Sequence, residues 1–360
     1  MPRSNRYNTS GVRRCRSEIE ATQNRALTLR ETTNMTLRQI ASECGYVHPV
    51  TGEPRPQSAD MAIRAAQARR ATGTTTVTST PTAVAEQAVR TVRQQATNGL
   101  PSNRTFGVEI EFFNLTPQQA VRALTNAGVS ASFEGYTHRV MNTWKIVTDA
   151  SVNRVGTGGA GLELVSPVLR GADGLEQIEK VTKALREAGA KVDKTCGVHV
   201  HIGMDGLVGA EMMKVIDLYV ANQSFIDGLM PASRRDAYYC RHITTDSLNL
   251  GIYNQMRNSR TATATTRMRT TLSGAQRFYV VNVASYAKYG TLEFRQHSGS
   301  LNGKKIGGWV QFLLGLVETA TRGNTTTAFE SAEALFTGVG VTDTVAEFLN
   351  ARHTVMSVRR

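Results

Sequence analysis

Cysteine is scarce in this sequence, with four residues among 360, at positions 15, 44, 196 and 240. No two of them form a Cys-x-x-Cys pair, and their spacing is unlike the framework of a small disulfide-rich domain. Domains of oxidising compartments often depend on such frameworks. The sequence therefore predicts a protein of a reducing compartment, the cytoplasm.

Long hydrophobic runs are missing as well. The most apolar late stretch, Ile306 to Val317, is too short to span a bilayer. The polar, arginine-rich beginning of the chain does not have the pattern of a signal peptide. With 40% hydrophobic and 20% charged residues, the composition is typical of a soluble globular protein. We expect at least two domains in a chain of this length, and no membrane partner.

Acidic residues are outnumbered, since 29 Asp and Glu face 42 Lys and Arg and leave a net charge of +13. Such a field favours polyanions, including nucleic acids, nucleotides and anionic cell-surface polymers. The imbalance is strong in residues 1–100, which hold 14 Arg, 7 acidic residues and no Lys, Phe or Trp. A region of that composition can form only a small core.

Residues 1–70 are predicted to form a basic helical region. The helices expected are Ser17–Arg30, a short helix capped by Thr36 and ended by Gly45, and Ser58–Arg70. The order of these helices and the pattern Thr-x-x-x-Ile-Ala-x-x-x-Gly resemble a helix-turn-helix unit that binds DNA. The turn over residues 45–57 is longer than usual for that motif. The alternative is a helical appendage that packs on the main domain or binds another protein.

Residues 71–103 are predicted to be a threonine-rich linker followed by an exposed helix over 83–97. From 104 onward strands and helices alternate without regular βαβ spacing, which indicates an α+β domain: a curved, largely antiparallel sheet with helices on one side. The predicted helices are 117–128, one capped by Asp173 that ends at Gly189, 208–230, 304–321 and 342–356. The predicted strands are 105–112, 143–148, 161–166, 195–202, 276–284 and 290–297.

The stretch Phe106–Phe112, FGVEIEF, dominates this half of the chain. Its apolar residues predict a buried strand, which Glu109 and Glu111 interrupt two residues apart, so both carboxylates leave the same face. Two adjacent carboxylates repel each other and are costly to desolvate. A divalent metal would compensate them, although a solvated polar face is the simpler alternative for this strand alone.

The other predicted strands carry similar polar residues. One buried Glu is usually a paired structural residue, and one His on an apolar strand is usually a satisfied core residue. Six strands with this pattern are better explained by one polar cavity lined by a sheet. The residues concerned are Asp149, Glu163, His199, His201, Arg277, Glu293 and Arg295.

This set of residue types predicts a chemistry. Several Glu side chains with an imidazole suit more than one Mg²⁺ or Mn²⁺, and neighbouring arginines suit phosphate oxygens. Together they indicate phosphoryl transfer. A P-loop motif is missing, and the glycine-rich segment 155–161 precedes a strand, so we expect a hairpin or flexible loop there. Cys196 with His199 and His201 could suggest zinc, but one Cys among hard oxygen donors argues against it.

Residues 104–320 resemble the amidoligase family, relatives of glutamine synthetase and glutamate–cysteine ligase. The matching segments, in the family's order, are FGVEIEF, W-x(4)-DASV, ELVSP, TCGVHVHIG, RRDAYYCR at 234–241, RFYVVNV and GTLEFRQHSGSLN. The resemblance implies a glutamine synthetase-like catalytic domain over 104–360 that holds ATP and at least two Mg²⁺. It also implies phosphorylation of a substrate carboxylate, followed by attack of an amine to form an amide.

The resemblance implies roles for individual residues too. The metal ligands expected are Glu109, Glu111, Glu163, His199 and Glu293. The catalytic residues expected are Asp149, His201, Arg277 and Arg295. The residues expected to bind the nucleotide are His199, Arg235, Arg277 and Arg295.

Two alternatives to a ligase stay open. The first is a DNA-binding or scaffold protein whose ligase-like domain only binds a ligand, and the second is a metal-dependent hydrolase with the same carboxylates. The expected ligase partners are small-molecule or peptide carboxylates and amines, with DNA as a partner of the N-terminal region. A ligase-like domain behind a helix-turn-helix-like region suggests a phage or mobile element, acting in the host cytoplasm.

Overall fold

A computed structural model of the chain describes residues 16–32, 35–47, 53–71, 99–152, 161–243, 250–323 and 326–358. The chain divides into two compact units, Met1–Gln87 and Ala88–Arg360. The predicted helix over 83–97, nearly all of the linker before it and most of the glycine-rich segment 155–161 lie outside the described residues. Within the described ranges, every helix is too short or too polar for a membrane span.

The N-terminal unit contains the three helices that the sequence predicts, α1 (Arg16–Thr32), α2 (Leu37–Glu43) and α3 (Pro56–Ala71). Thr36 and Gln39 form a capping box at the start of α2. A small core of Ala, Leu and Ile side chains with Tyr46 lies between the helices. Three arginines of this unit form ion pairs with acidic residues of the same unit: Arg25–Glu43 at 4.0 Å, Arg38–Glu53 at 3.0 Å and Arg64–Asp60 at 2.9 Å. DNA binding by this unit stays a prediction.

The second unit is built on one open seven-stranded sheet. The strands are β1 (Phe106–Phe112), β2 (Ala131–Phe133), β3 (Trp144–Thr148), β4 (Leu162–Val165), β5 (Gly197–Gly203), β6 (Val281–Asn282) and β7 (Thr291–Ser298). Their order is β2-β3-β4-β1-β5-β7-β6, and every neighbouring pair is antiparallel except β2 with β3. The predicted α+β class with a largely antiparallel sheet is confirmed.

Ten α-helices complete the described part of this unit. They are α4 (Pro117–Asn126), α5 (Gly171–Glu187), α6 (Gly209–Ala221), α7 (Gln223–Asp227), α8 (Leu250–Asn258), α9 (Ala262–Leu272), α10 (Ala284–Tyr289), α11 (Gly303–Arg322), α12 (Ala332–Gly338) and α13 (Asp343–Ser357). The cap at the start of α4 is as predicted, since Thr116 and Gln119 form a capping box with Pro117 in the first turn.

One face of the sheet carries the core. Phe106, Val108 and Ile110 of β1 alternate with the Glu side chains and are fully buried with apolar residues of β5 and β7. Helix α5 packs so closely here that a Cβ at Gly174 would lie 2.7 Å from Phe106 Cζ. Helix α11 packs against α5, α6 and β5. The helices therefore cover the apolar face, and the Glu side chains of β1 belong to the other face.

Three predicted elements differ in the structure. Residues 276–284 do not form one long strand: only Val281–Asn282 pair with β7, and Asn282 Oδ1 then accepts a hydrogen bond from Ala284 N and starts α10. Asp173 does not cap α5 but lies in its first turn, after Arg170 at the cap position. The predicted helix 208–230 is two helices, because α6 ends at Asn222 and α7 follows. Strand β2 and helices α8, α9, α10 and α12 were not predicted, since their short or threonine-rich sequences lack a clear period.

Candidate functional site

Polar side chains meet in rows across the uncovered face of the sheet. Residues directly opposite each other in antiparallel strands point to the same face with Cβ atoms about 5 Å apart. The strand register therefore brings together side chains that are distant in the sequence. The pairs are Glu109 with His199, Glu111 with Glu163, and His201 with Glu293.

His199 lies among three carboxylates. Its Nδ1 is 3.2 Å from Glu109 Oε2 and 3.6 Å from Glu293 Oε1, and its Nε2 is 3.5 Å from Glu111 Oε1. Two groups of potential metal ligands share this imidazole: Glu109, His199 and Glu293, and Glu111, Glu163 and His199. In each group the ligand atoms lie within 4.8 Å of one another. The structure thus brings all five predicted metal ligands into one cluster.

The second oxygens of two carboxylates are held by neighbours. Glu111 Oε2 accepts a hydrogen bond of 2.6 Å from the Gly197 backbone, and Glu293 Oε2 accepts one of 2.6 Å from Asn282 Nδ2. Arg295 donates to Glu293 Oε1 and forms an ion pair with it. These contacts fix which oxygens face His199. Groups of this kind orient ligands at metal sites.

The cluster is electrostatically unbalanced. Burial and the charges of Glu109 and Glu111 raise the pKa of Glu163 well above its ordinary value. Burial also acts to raise the pKa of Glu109, but hydrogen bonds with His199 and His201 hold it well below the ordinary value. Like charges directly opposite on neighbouring strands are destabilising. The four carboxylates would therefore be stabilised by additional positive charge.

A cavity of about 530 Å³ lies beside the cluster, and we call it the arginine cavity. Arg234, Arg277 and Arg295 line it together with Glu109, Glu111 and Glu163. Arg234 Nε donates to the Gln296 carbonyl at 3.2 Å, and its Nη2 donates to the Arg295 carbonyl, so this guanidinium is held in place. The lining thus combines carboxylates with several cations.

Aromatic rings form another part of the wall of the arginine cavity. The ring of Tyr238 lies 5.0 Å from that of Tyr239 and 5.5 Å from that of Phe278, between centroids. The Arg277 guanidinium lies over the Phe278 ring at 5.1 Å. This part of the cavity offers flat apolar surface next to positive charge.

A second cavity of about 270 Å³ lies along the start of β1, and we call it the β1 cavity. Its lining mixes apolar residues such as Val108, Val140 and Pro167 with polar ones. Lys145 is buried there, and its Nζ donates to the carbonyls of Thr137 at 3.3 Å and Arg139 at 2.5 Å. Burial lowers the pKa of this amine.

The two cavities share part of their lining. Glu109 and Glu163 face both, and so do Thr137 and His138. Molecules bound in the two cavities would therefore approach each other at the carboxylate cluster. His201 lines only the β1 cavity, where its Nδ1 is 2.9 Å from Thr291 Oγ1.

The predicted catalytic residues are divided between the cavities. Arg277, Arg295 and Asp149 line the arginine cavity, and His201 lines the β1 cavity. Asp149 Oδ1 accepts hydrogen bonds of 2.7 Å from both the backbone and the hydroxyl of Ser151.

Arg235, which is expected to bind the nucleotide, lies apart from the other residues of that group. Its guanidinium donates to the carbonyls of Asp227, Met230 and Met356, at 2.6 to 3.0 Å, and it lines neither cavity. The neighbouring Arg234 faces the arginine cavity instead. Two adjacent arginines cannot be told apart by composition, because the short turn after Pro231 decides which one faces the cavity.

Sequence reasoning also missed the positions of Lys145 and Asn282. For Lys145 the signal was a lysine inside the otherwise apolar strand β3, because lysine is rarely fully buried unless its charge is paired. Asn282 carried a weaker signal, because polar residues in short strands are common.

Comparison with known proteins adds a family relationship. Residues 102–317 match the family model described as "Putative amidoligase enzyme". No curated protein sequence matches the chain. Among solved structures, a bifunctional glutathione synthetase from Pasteurella multocida is similar at 15% identity and a TM-score of 0.33, over 74% of this chain and 49% of that one. The chain spans about half the length of that protein.

Proposed function

Because the chain belongs to the amidoligase family, we propose that it is an ATP- and Mg²⁺-dependent ligase that joins a carboxylate to an amine through an acyl phosphate. The observation that carries the proposal is the pair of acidic triads around His199, placed between two cavities. The family supports amide formation, and the site supplies the groups such a reaction needs. The proposal includes a glutamine synthetase-like fold for the second unit, Ala88–Arg360.

The residues of the cluster fit a magnesium site. Each triad offers two carboxylates and one imidazole, and carboxylate oxygens are the donors that Mg²⁺ and Mn²⁺ favour. Divalent cations would also relieve the repulsion that acts on Glu163. Bound there, such ions would neutralise the charge that develops during phosphoryl transfer. Glu109, Glu111, Glu163, His199 and Glu293 would hold them.

We place the nucleotide in the arginine cavity. Its three arginines suit the phosphates, because a guanidinium is always charged and donates several hydrogen bonds in a fixed plane. The aromatic wall of Tyr238, Tyr239 and Phe278 suits a purine ring. Asp149 would contact the ribose or orient the acid at the edge of this cavity.

We place the acid and the amine in the β1 cavity. The Lys145 ammonium uses two of its three protons on backbone carbonyls, which leaves the third for a substrate carboxylate. The mixed lining suits an acid with an apolar part. His201, which lies 3.3 Å from Glu109 Oε1, would take up the proton that the amine loses.

The reaction proposed has two steps that meet at the shared lining. In the first, a carboxylate oxygen of the acid attacks the γ-phosphorus of ATP, and the bond to the β-phosphate oxygen breaks, giving an acyl phosphate and ADP. In the second, the amine nitrogen attacks the acyl carbon, phosphate leaves and the nitrogen loses a proton. Arg277 and Arg295 would stabilise the charge on the transferring phosphoryl group.

Calorimetric titration of a non-hydrolysable ATP analogue tests the nucleotide site. We expect Mg²⁺-dependent binding to the wild type and loss of that binding in the double variant Glu109→Gln/Glu111→Gln. Glu187→Gln is the matched control, since Glu187 is an exposed residue of α5 whose ion pair with Lys183, at 3.9 Å, lies on the surface. If binding of the ATP analogue is the same with and without Mg²⁺ and is unchanged in the double variant, the proposal is overturned.

Product analysis separates the ligase from its alternatives. A ligase releases ADP only when both an acid and an amine are supplied, whereas a hydrolase consumes its substrate without an amine. A protein that only binds a ligand would show neither reaction. Deleting residues 1–95 should leave ADP release intact, and DNA binding by the N-terminal region would then be measured on the full chain.

A further inference from the structure

A second group of ionisable side chains lies behind the sheet, where α11 and α13 pack at the end of β7. Lys305 and Trp309 lie one turn apart on α11, and Arg352 is on α13. His297 stands in the cross-strand row that also holds Ile110 and Val198, so it points toward the helices. A bulge in β7 places it there, because the register shifts by one residue between Phe294 and His297.

These side chains present hydrogen-bond donors without acceptors. Trp309 Nε1 and the Nε and Nη2 atoms of Arg352 are buried and have no hydrogen-bond partner in the part of the chain that the structure describes. Lys305 Nζ makes one long contact, 3.4 Å from Ser298 Oγ. A buried donor left unsatisfied costs about 1–3 kcal/mol. Three such atoms on two helices that pack together therefore call for a ligand that accepts hydrogen bonds.

The charge of this group is also unbalanced. The charge of Arg352 is close enough to lower the pKa of both Lys305 and His297, although burial is the larger cause for each. Burial alone lowers the pKa of Arg352. No carboxylate of the described residues affects the pKa of Lys305 or Arg352. Among the described residues, neither Lys305 nor Arg352 forms an ion pair with a carboxylate.

We propose that Ser298, Lys305, Trp309 and Arg352 form a binding site, which we call the rear basic site, for a phosphate dianion, either free or as a phosphomonoester. Such a group carries a charge of about −1.5 to −2 near pH 7 and three or more acceptor oxygens. Its charge matches two cations, and its oxygens match donors that arrive from one strand and two helices. A water molecule would not balance the two positive charges, and a carboxylate would balance only one of them.

The proposal is independent of the ligase reaction. The carboxylate cluster and both cavities are on the uncovered face of the sheet, while His297, Lys305 and Trp309 are on the helix face, and none of the four residues of the rear basic site lines either cavity. His297 would stay neutral, because burial and the neighbouring cations hold its pKa well below the ordinary value. The partly exposed Lys305 and Arg352 leave a way in from solvent.

Indole resonances give a direct test. The protein has two tryptophans, and Trp144 Nε1 already donates to Gln177 Oε1 at 3.1 Å. In ¹H–¹⁵N spectra of the full chain, inorganic phosphate should shift the Trp309 indole signal with a saturable titration and leave the Trp144 signal unmoved. Trp144→Phe assigns the two signals. A Trp309 signal that ignores phosphate would overturn the proposal.

Variants and ligand series sharpen the result. Arg352→Met and, separately, Lys305→Met should each weaken the titration at least tenfold, whereas Arg277→Met in the arginine cavity should not change it. Glycerol 3-phosphate in place of phosphate distinguishes the sources: equal shifts indicate a site open to phosphomonoesters, and a response to phosphate alone indicates a site for the free ion. An acetate titration as strong as that of phosphate would contradict the dianion, and so would an unchanged titration in both variants.

Discussion

The two faces of the seven-stranded sheet carry ionisable clusters of different composition. The uncovered face holds Glu109, Glu111, Glu163 and Glu293, with His199 between them. The layer of helices holds Lys305 and Arg352 near the end of β7, and elsewhere it buries Glu318 of α11 in ion pairs with Arg104 at 3.2 Å and Arg322 at 2.6 Å. Buried like charges are costly. The difference is the basis of the two proposals, a divalent cation at the front cluster and a phosphate dianion at the rear basic site.

The largest effect on stability should come from placing a charged side chain on the apolar face of the sheet. Ile110→Asp would place an unpaired charge in the core beside α5 and should destabilise the second unit by more than about 4 kcal/mol, enough to unfold it. Its neighbour Glu111→Gln, on the other face, should leave the unit folded. Denaturant titration followed by circular dichroism measures both. Equal stabilities would mean that the faces are not distinct.

A smaller effect should follow from removing one carboxylate from the uncovered face of the sheet. Glu163→Gln should lower ligase turnover by about 100-fold or more, since a metal ligand is lost. The same substitution should raise the stability without metal by about 1 kcal/mol, because a like-charged pair is relieved. Turnover and denaturant midpoints are to be compared with those of Glu187→Gln. A stability that falls in metal-free buffer would show that the cluster is already balanced.

The corresponding change behind the sheet should act on stability alone. In phosphate-free buffer, Arg352→Met should raise the unfolding free energy by about 1 kcal/mol, because a buried guanidinium without a partner is removed. Arg267→Met is the control, since Arg267 is exposed on α9 and should change stability by less than about 0.5 kcal/mol. Added phosphate should stabilise the wild type and not the Arg352 variant. A destabilised Arg352→Met protein would argue that the side chain is held by contacts of its own.

The smallest effect concerns pH. Burial, with the charge of Arg352, lowers the pKa of Lys305 from 10.5 to about 8, and His297 close by is neutral. Between the two pKa values of Lys305, about 8 and 10.5, this lysine is protonated in the unfolded chain and largely deprotonated in the folded protein. The unfolded chain therefore binds more protons, and the free energy of unfolding should rise with pH from about 8 to about 10. Lys305→Met should remove up to about 1 kcal/mol of that rise, which urea titrations at both ends of the range measure. Other lysines titrate there too, so only the difference between variant and wild type counts, and identical slopes would refute the assignment.

Much of the catalytic unit followed from local patterns. The alternation in Phe106–Phe112 predicted β1 and the common face of Glu109 and Glu111, and the Thr116–Pro117 cap predicted α4. Patterns of this kind depend on neighbouring residues only. They fail where one contact overrides them, as at residues 276–284, where Asn282 starts α10 before the strand can continue.

The site residues divide in the same way. The types and strands of the five expected metal ligands were predicted, but their meeting at His199 depends on the register of β4, β1, β5 and β7. The nucleotide contact expected of Arg235 stays a prediction, since the turn after Pro231, and not the residue type, directs Arg234 toward the cavity. Lys145 was overlooked, since its burial depends on carbonyls of a loop that no local pattern reveals.

The sequence by itself determined which strands carry carboxylates, the caps of α2 and α4, and which family the chain resembles, because these depend on residue order. The tertiary structure alone decided how the charges group. By strict alternation, Glu293, Arg295 and His297 would share one face of β7. A single bulge turns His297 to the helices, where it joins Lys305 and Arg352. The reason is physical: a period of two persists only while every residue pairs across the strands, and one unpaired residue reverses it.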